Sequence, residues 1–191
     1  RIDMVAEGSH PAAVRAAMAE AWHTMERLAA MMSRYEPGSA VSAVNRAAGG
    51  PAVAVPPEMM AVLQSAQQLA ERTHGAFDPA AGQLVALWGF GPPAAKSLPP
   101  SPAAPAALHA QATWRALGGH PTAVRLIQPG ARWLDFSGIA KGYAVDRVAQ
   151  ALQAAGIANF LIDIGGELRA AGRRPDGTSW HIQLDVGEAS P

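Results

Sequence analysis

The segment Asp135-Phe136-Ser137-Gly138-Ile139-Ala140-Lys141-Gly142-Tyr143-Ala144-Val145-Asp146 orders the rest of the chain around it. A short apolar run ends at Asp135. From about Ala140 the spacing turns helical, with Val145, Val148 and Leu152 as the apolar stripe and Gly156 just past the helix end, near Ala155. A strand that runs into a helix leaves free amide donors and a partial positive charge at the junction, a setting suited to a phosphate. Ser137 can cap that helix. Gly138 lets a ligand or ion approach the backbone, and its carbonyl suits a hard cation such as magnesium. Lys141 adds a point charge in the first turn, and Asp135 can hold a base edge, a hydroxyl or a water. A plain capped helix with a surface lysine uses the same residues, and spacing alone does not separate the two readings.

Working outward, residues 124–127 read as a strand with 133–136 as its hairpin partner, and Phe160 to Ile164 as an apolar strand. Residues 168–171 and 180–185 flank a Pro-Asp-Gly turn and read as a hairpin. Trp180, Ile182 and Leu184 alternate with polar residues, as on a sheet with one buried face. Upstream, residues 1–7 alternate as a strand. Val14, Met18, Trp22, Met25, Leu28 and Met32 give a long helix from Pro11 to near Ser33. A polar, turn-rich stretch covers 35–45, and Val53 with Val55 suggests a short strand. Pro56-Pro57 opens a second helix carrying Met59, Val62, Leu63, Ala66 and Leu69, which stops near Gly75. Residues 76–91 read as a loop, 92–107 as a proline- and alanine-rich surface connection, and about 105–117 as a third helix. Helices and strands do not alternate strictly, so the class is α+β.

The 191 residues are 49% apolar and 16% charged, a globular composition. Fifteen basic side chains balance fifteen acidic ones, which leaves no electrostatic footprint for nucleic acid or an anionic membrane. The absence of cysteine excludes disulfides, thiolate zinc sites and cysteine nucleophiles. No basic segment leading into a long apolar run opens the chain, and the first residue is Arg1, as in a trimmed or mature fragment. The six histidines show no metal-site spacing. No Rossmann fingerprint, P-loop or nucleophile elbow is present.

Three further segments can carry chemistry. Ala76-Phe77-Asp78-Pro79 follows a helix stop and is either turn chemistry or a binding loop. It continues into Leu87-Trp88-Gly89-Phe90-Gly91-Pro92, whose aromatics suit either a flat ring or the core. In Met32-Ser33-Arg34-Tyr35-Glu36-Pro37-Gly38-Ser39, Tyr35 directly follows an apolar helix and can stack on an isoalloxazine or adenine ring, or simply end the helix in water. The paired glycines of Asp163-Ile164-Gly165-Gly166-Glu167 allow close backbone approach, or a strand bend.

Together these segments resemble the ApbE family, the FAD:protein FMN transferases. The family pattern reads MSxYxPxSExSxxN, DGAFDPTxGPLxxLWGFGP, DLSGIAKGYAVDxxAxxL and GxxNxLIxIGGExRxxGxxPDGxxWxIGI. The matching stretches here are Met32 to Asn45, Gly75 to Pro92, Asp135 to Leu152 and Gly156 to Leu184, colinear and correctly spaced. The resemblance implies a single domain over 1–191 with a mostly antiparallel sheet packed with helices. It implies an enzyme, a flavoprotein transferase that moves FMN from FAD onto a threonine or serine of an acceptor protein and releases AMP. Its implied cofactors are FAD, as substrate, and Mg2+. The implied FAD contacts are Tyr35, Ala76, Phe77, Asp78, Asp135 and Lys141, and the Gly138 carbonyl is the implied metal ligand. No catalytic base is singled out.

By the same resemblance the protein works in the periplasm, or on the outer face of the cytoplasmic membrane, with a membrane link only through a lipid anchor this chain does not carry. The family's C-terminal His-x-x-Asp-Pro-x-Thr-Gly motif, which completes the magnesium site, and its Met-Gly-Thr-like first strand are not matched. The expectation for these 191 residues alone is therefore an incomplete metal shell and weak or no transfer. FAD pyrophosphatase activity, or non-catalytic flavin binding, are the alternatives.

Overall fold

The computed structural model describes residues 2–8, 10–91, 99–101, 103–111, 114–120, 125–127 and 132–183. The described elements are β1 (Ile2–Glu7), α1 (Pro11–Met32), α2 (Ala40–Arg46), β2 (Val53–Ala54), α3 (Pro57–Arg72), α4 (Gly82–Leu87) and α5 (Ala103–Gln111). A 3-10 turn follows at Trp114–Ala116, then β3 (Gly118–His120), β4 (Arg125–Ile127), α6 (Ala140–Ala154), β5 (Asn159–Ile164) and β6 (Glu167–Ala171). The class is α+β, and every strand pair in the two sheets is antiparallel.

The chain divides into two compact units, Arg1–Thr24 with Ala144–Pro191, and Met25–Tyr143. The first holds the sheet β1-β5-β6. Gly165 and Gly166, at φ 59° and 94°, make the two-residue turn between β5 and β6, and Asp163 Oδ1 accepts the Gly166 amide at 2.8 Å. The glycine pair thus serves a tight hairpin. Ala17, Ala21, Val145, Val148, Ala149, Leu152, Phe160 and Ile162 are buried, whereas Trp22, expected on the α1 stripe, is exposed.

The second unit holds the sheet β2-β4-β3. Its buried residues include Leu28, Met32, Val41, Val44, Met59, Val62, Leu63, Ala66, Leu134 and Phe136. Pro57 starts α3 where its missing N–H costs nothing. The helix stops in a Schellman arrangement. His74 donates to Glu71 O and Gly75 to Ala70 O, with His74 at φ 53° and Gly75 at φ 86°.

Several sequence expectations change. Residues 133–136 are not the hairpin partner of β4. Leu134, Asp135 and Phe136 are all buried, so no alternation exists, and their backbone partners lie in loops and a side chain. β4 pairs instead with β2 and β3. The 35–45 stretch contains α2, capped by Ser39, whose hydroxyl accepts the Ser42 amide. The 76–91 loop contains α4. Both helices are too short to show a helical period. The third helix begins at Ala103 rather than 105 and ends at Gln111, ahead of the 3-10 turn. Residues 180–183 form no strand, and Trp180 instead donates its indole N–H to Ala171 O. Residues 92–98, 124, 184 and 185 lie outside the described residues. Among the described residues no helix is long and apolar enough to cross a membrane.

Candidate functional site

Every predicted site residue falls in the unit Met25–Tyr143. The 78–82 and 133–135 segments are bound to each other through the backbone. Asp135 N–H donates to Pro79 O at 2.8 Å, Gly82 N–H donates to Trp133 O at 2.9 Å, and Ala81 bridges Trp133. Asn45 locks the same strip from the other side, donating to Leu134 O at 2.9 Å and accepting from Leu134 N–H at 2.7 Å. A primary amide can satisfy both groups of one peptide residue in this way. The asparagine that closes the first sequence segment thus acts on the third.

Asp135 is buried. Its Oδ1 accepts the Ser137 amide at 2.8 Å, and its Oδ2 pairs with the Arg34 guanidinium. Ser137, expected to cap the helix, lies three residues before its first residue, and its backbone amide is received by the Asp135 carboxylate. The turn then feeds α6 through Ile139 and Ala140, both donating to Phe136 O. Lys141 lies exposed in the first turn of that helix.

Phe77 meets Gly138 directly, since a β-carbon at Gly138 would lie 2.9 Å from Phe77 Cε2. The second and third segments are therefore joined at the residues singled out for flavin and metal. The Asp78 carboxylate is engaged by backbone. Its Oδ1 accepts from Ala80 N–H at 2.7 Å, and its Oδ2 accepts from Trp114 N–H at 3.3 Å. That is turn-stabilising work, compatible with a ligand contact through the remaining lone pairs. Ala76 is exposed, and Tyr35 is 68% exposed. Tyr35 is thus open to solvent rather than packed into the core.

Arg34 was missed by the sequence reading, as were the contacts of Trp133 and Gly82. Arginine at a helix end is ordinarily a solvated residue. The only available signal was its place beside Tyr35 in the Met32–Ser39 segment. Among the described residues no group of three or more histidine or acidic side chains could hold a metal. The Gly138 carbonyl is the donor singled out for a hard cation.

The ApbE family model matches residues 1–189, and the chain belongs to that family. An FAD:protein FMN transferase of Vibrio cholerae is 35% identical over 161 residues, 84% of this chain and 48% of that protein. One from Treponema pallidum is 34% identical over 170 residues, 85% of this chain and 46% of that protein. The chain spans about half the length of these relatives. Among solved structures, a mutant of the flavin transferase ApbE from Vibrio cholerae superposes with a TM-score of 0.87 at 31% identity. It covers 97% of this chain and 63% of that one. The apo flavinyl transferase ApbE of Pseudomonas stutzeri gives 0.84 at 33% identity, covering 97% and 61%.

Proposed function

We propose that this protein binds FAD and transfers its FMN half to a threonine or serine hydroxyl of an acceptor protein, releasing AMP. The observation that carries the reading is the junction of Asp78-Pro79, Phe77 and Asp135 to Gly138 at the start of α6. The first turn of α6 offers amide donors and a positive dipole end, and Lys141 adds a compact cation there, for a diphosphate. The absence of a side chain at Gly138 is what lets the Phe77 ring pack against the turn. Phosphoryl transfer needs alignment and charge neutralisation more than covalent help from the protein. The acceptor oxygen forms the new phosphoester as the diphosphate bond breaks, AMP takes the leaving electrons, and the hydroxyl proton is released to solvent. Bound magnesium would neutralise charge on the phosphates. The role of the described residues is binding and orientation.

The test is incubation with FAD, magnesium and a threonine-bearing acceptor peptide, read by mass spectrometry for FMN on the peptide and by chromatography for AMP. FMN-labelled peptide and AMP in equal amounts, both abolished by a chelator, are the expected result for a protein that also carries the family's C-terminal motif, and weak or no transfer for these 191 residues alone. AMP and free FMN without acceptor would establish FAD hydrolysis instead. FAD binding with no AMP would leave a flavin carrier.

A further inference from the structure

Three segments that the sequence singled out separately meet at one side chain that none of them marked. The Arg34 guanidinium pairs with the Asp135 carboxylate, and the two side chains are only 7% and 6% exposed. Its central carbon lies 6.0 Å from the centroid of the Trp133 ring. On another side is Gly91, at φ 85°, where a β-carbon would lie 3.5 Å from Nη2 and 3.8 Å from Nη1. The backbone that carries Arg34 is itself fixed. Ser33 O accepts the Ser39 hydroxyl at 2.7 Å, and Tyr35 N–H donates to Ser33 Oγ at 3.2 Å.

A buried ion pair is a poor device for stability, because desolvating two charges costs about as much as their attraction returns. Its geometry is what it contributes. The planar guanidinium fork fixes a carboxylate in orientation as a lysine ammonium does not. Here the carboxylate so fixed is the one whose other oxygen receives the Ser137 amide, at the entry to Gly138 and α6.

We propose that Arg34 is a positioning residue for FAD binding, acting through Asp135. It holds the carboxylate in the orientation that shapes the turn at Ser137 and Gly138, and joins that turn to the Trp88–Gly91 and Tyr35 segments. The inference rests on the flavin reading of the site and adds to it a residue that touches no substrate.

The test is a double-mutant cycle on the full chain, with FAD affinity read by flavin fluorescence and folding by circular dichroism. Arg34→Ala is expected to weaken FAD binding about 10- to 100-fold, the scale of a lost charge-assisted contact. Arg34→Lys should recover only part of the loss. In an Asp135→Asn background, Arg34→Ala should change affinity by less than about threefold, because the residue through which it acts is already neutral. An equal loss in both backgrounds would mean that Arg34 attracts the diphosphate directly, and would overturn the inference. So would wild-type affinity in a folded Arg34→Lys or Arg34→Ala protein. If Arg34→Ala does not fold, the same comparison between backgrounds is made with Arg34→Lys, and the same outcomes decide. Failure of the unaltered chain to bind FAD would remove the flavin reading and this inference together. Binding by the unaltered chain with no effect at Arg34 removes only the inference.

Discussion

At the scale of the residue, Asp135 combines two demands that a substitution can separate. Its carboxylate neutralises a buried arginine and also anchors the turn before α6. Asp135→Ala removes both, and strands Arg34 without its counter-charge. Breaking a buried pair from one side costs about 3–5 kcal/mol, so this variant is expected to lose stability as well as FAD affinity. Asp135→Asn keeps an oxygen for the Ser137 amide and should fold with the smaller loss of stability. Thermal melts of the two variants beside FAD titrations check this. Similar losses in both variants would show that the charge, which both remove, outweighs the oxygen that Asn keeps for the Ser137 amide.

Among the elements, the end of α3 carries a local conflict that sequence reading passed over. Gly75 marks the stop, as expected, but it occupies the second position beyond the cap. The left-handed residue before it is His74. A side chain there is strained, and glycine is the usual occupant. His74→Gly is expected to stabilise the protein by about 0.5–1 kcal/mol, after the entropy of the added glycine is counted. That corresponds to a rise of a few degrees in melting temperature. An unchanged or lower melting temperature would show that the imidazole makes a compensating contact.

The same scale shows what the residues made legible. The long helices α1, α3 and α6 declare themselves through repeated apolar spacing, and β5 through its apolar run. α2 and α4 do not, because seven and six residues cannot display a period. The 133–136 strip looks like a strand since extended backbone and apolar residues are common to both. Only the tertiary partners, Asn45 and the 79–82 segment, distinguish them. Asp135 and Gly138 were singled out from motif spacing, and Phe77, which the structure brings against Gly138, from the family resemblance. Arg34 was not, because pairing across 101 positions leaves no trace in local pattern.

For the whole molecule, the predicted site residues all fall within one of the two compact units, while the β1-β5-β6 sheet belongs to the other. An exposed ion pair in that other unit, Arg169 with Asp146, is a natural control. Exposed pairs contribute about 0–1 kcal/mol. Arg169→Ala is expected to leave FAD affinity within error and to shift the melting temperature little. A marked loss of affinity would mean that the flavin depends on the β-sheet unit as well.

Gly82 has a consequence for how variant libraries of this protein should behave. A β-carbon there would fall 2.6 Å from the Trp133 carbonyl oxygen and 2.9 Å from Trp133 Cβ, so even alanine cannot be seated without moving main chain. In a saturation screen scored for abundance, codon 82 should tolerate nothing but glycine, whether or not flavin is supplied. It thereby provides an internal standard for purely architectural failure, against which positions depleted only when the screen demands a bound nucleotide can be ranked.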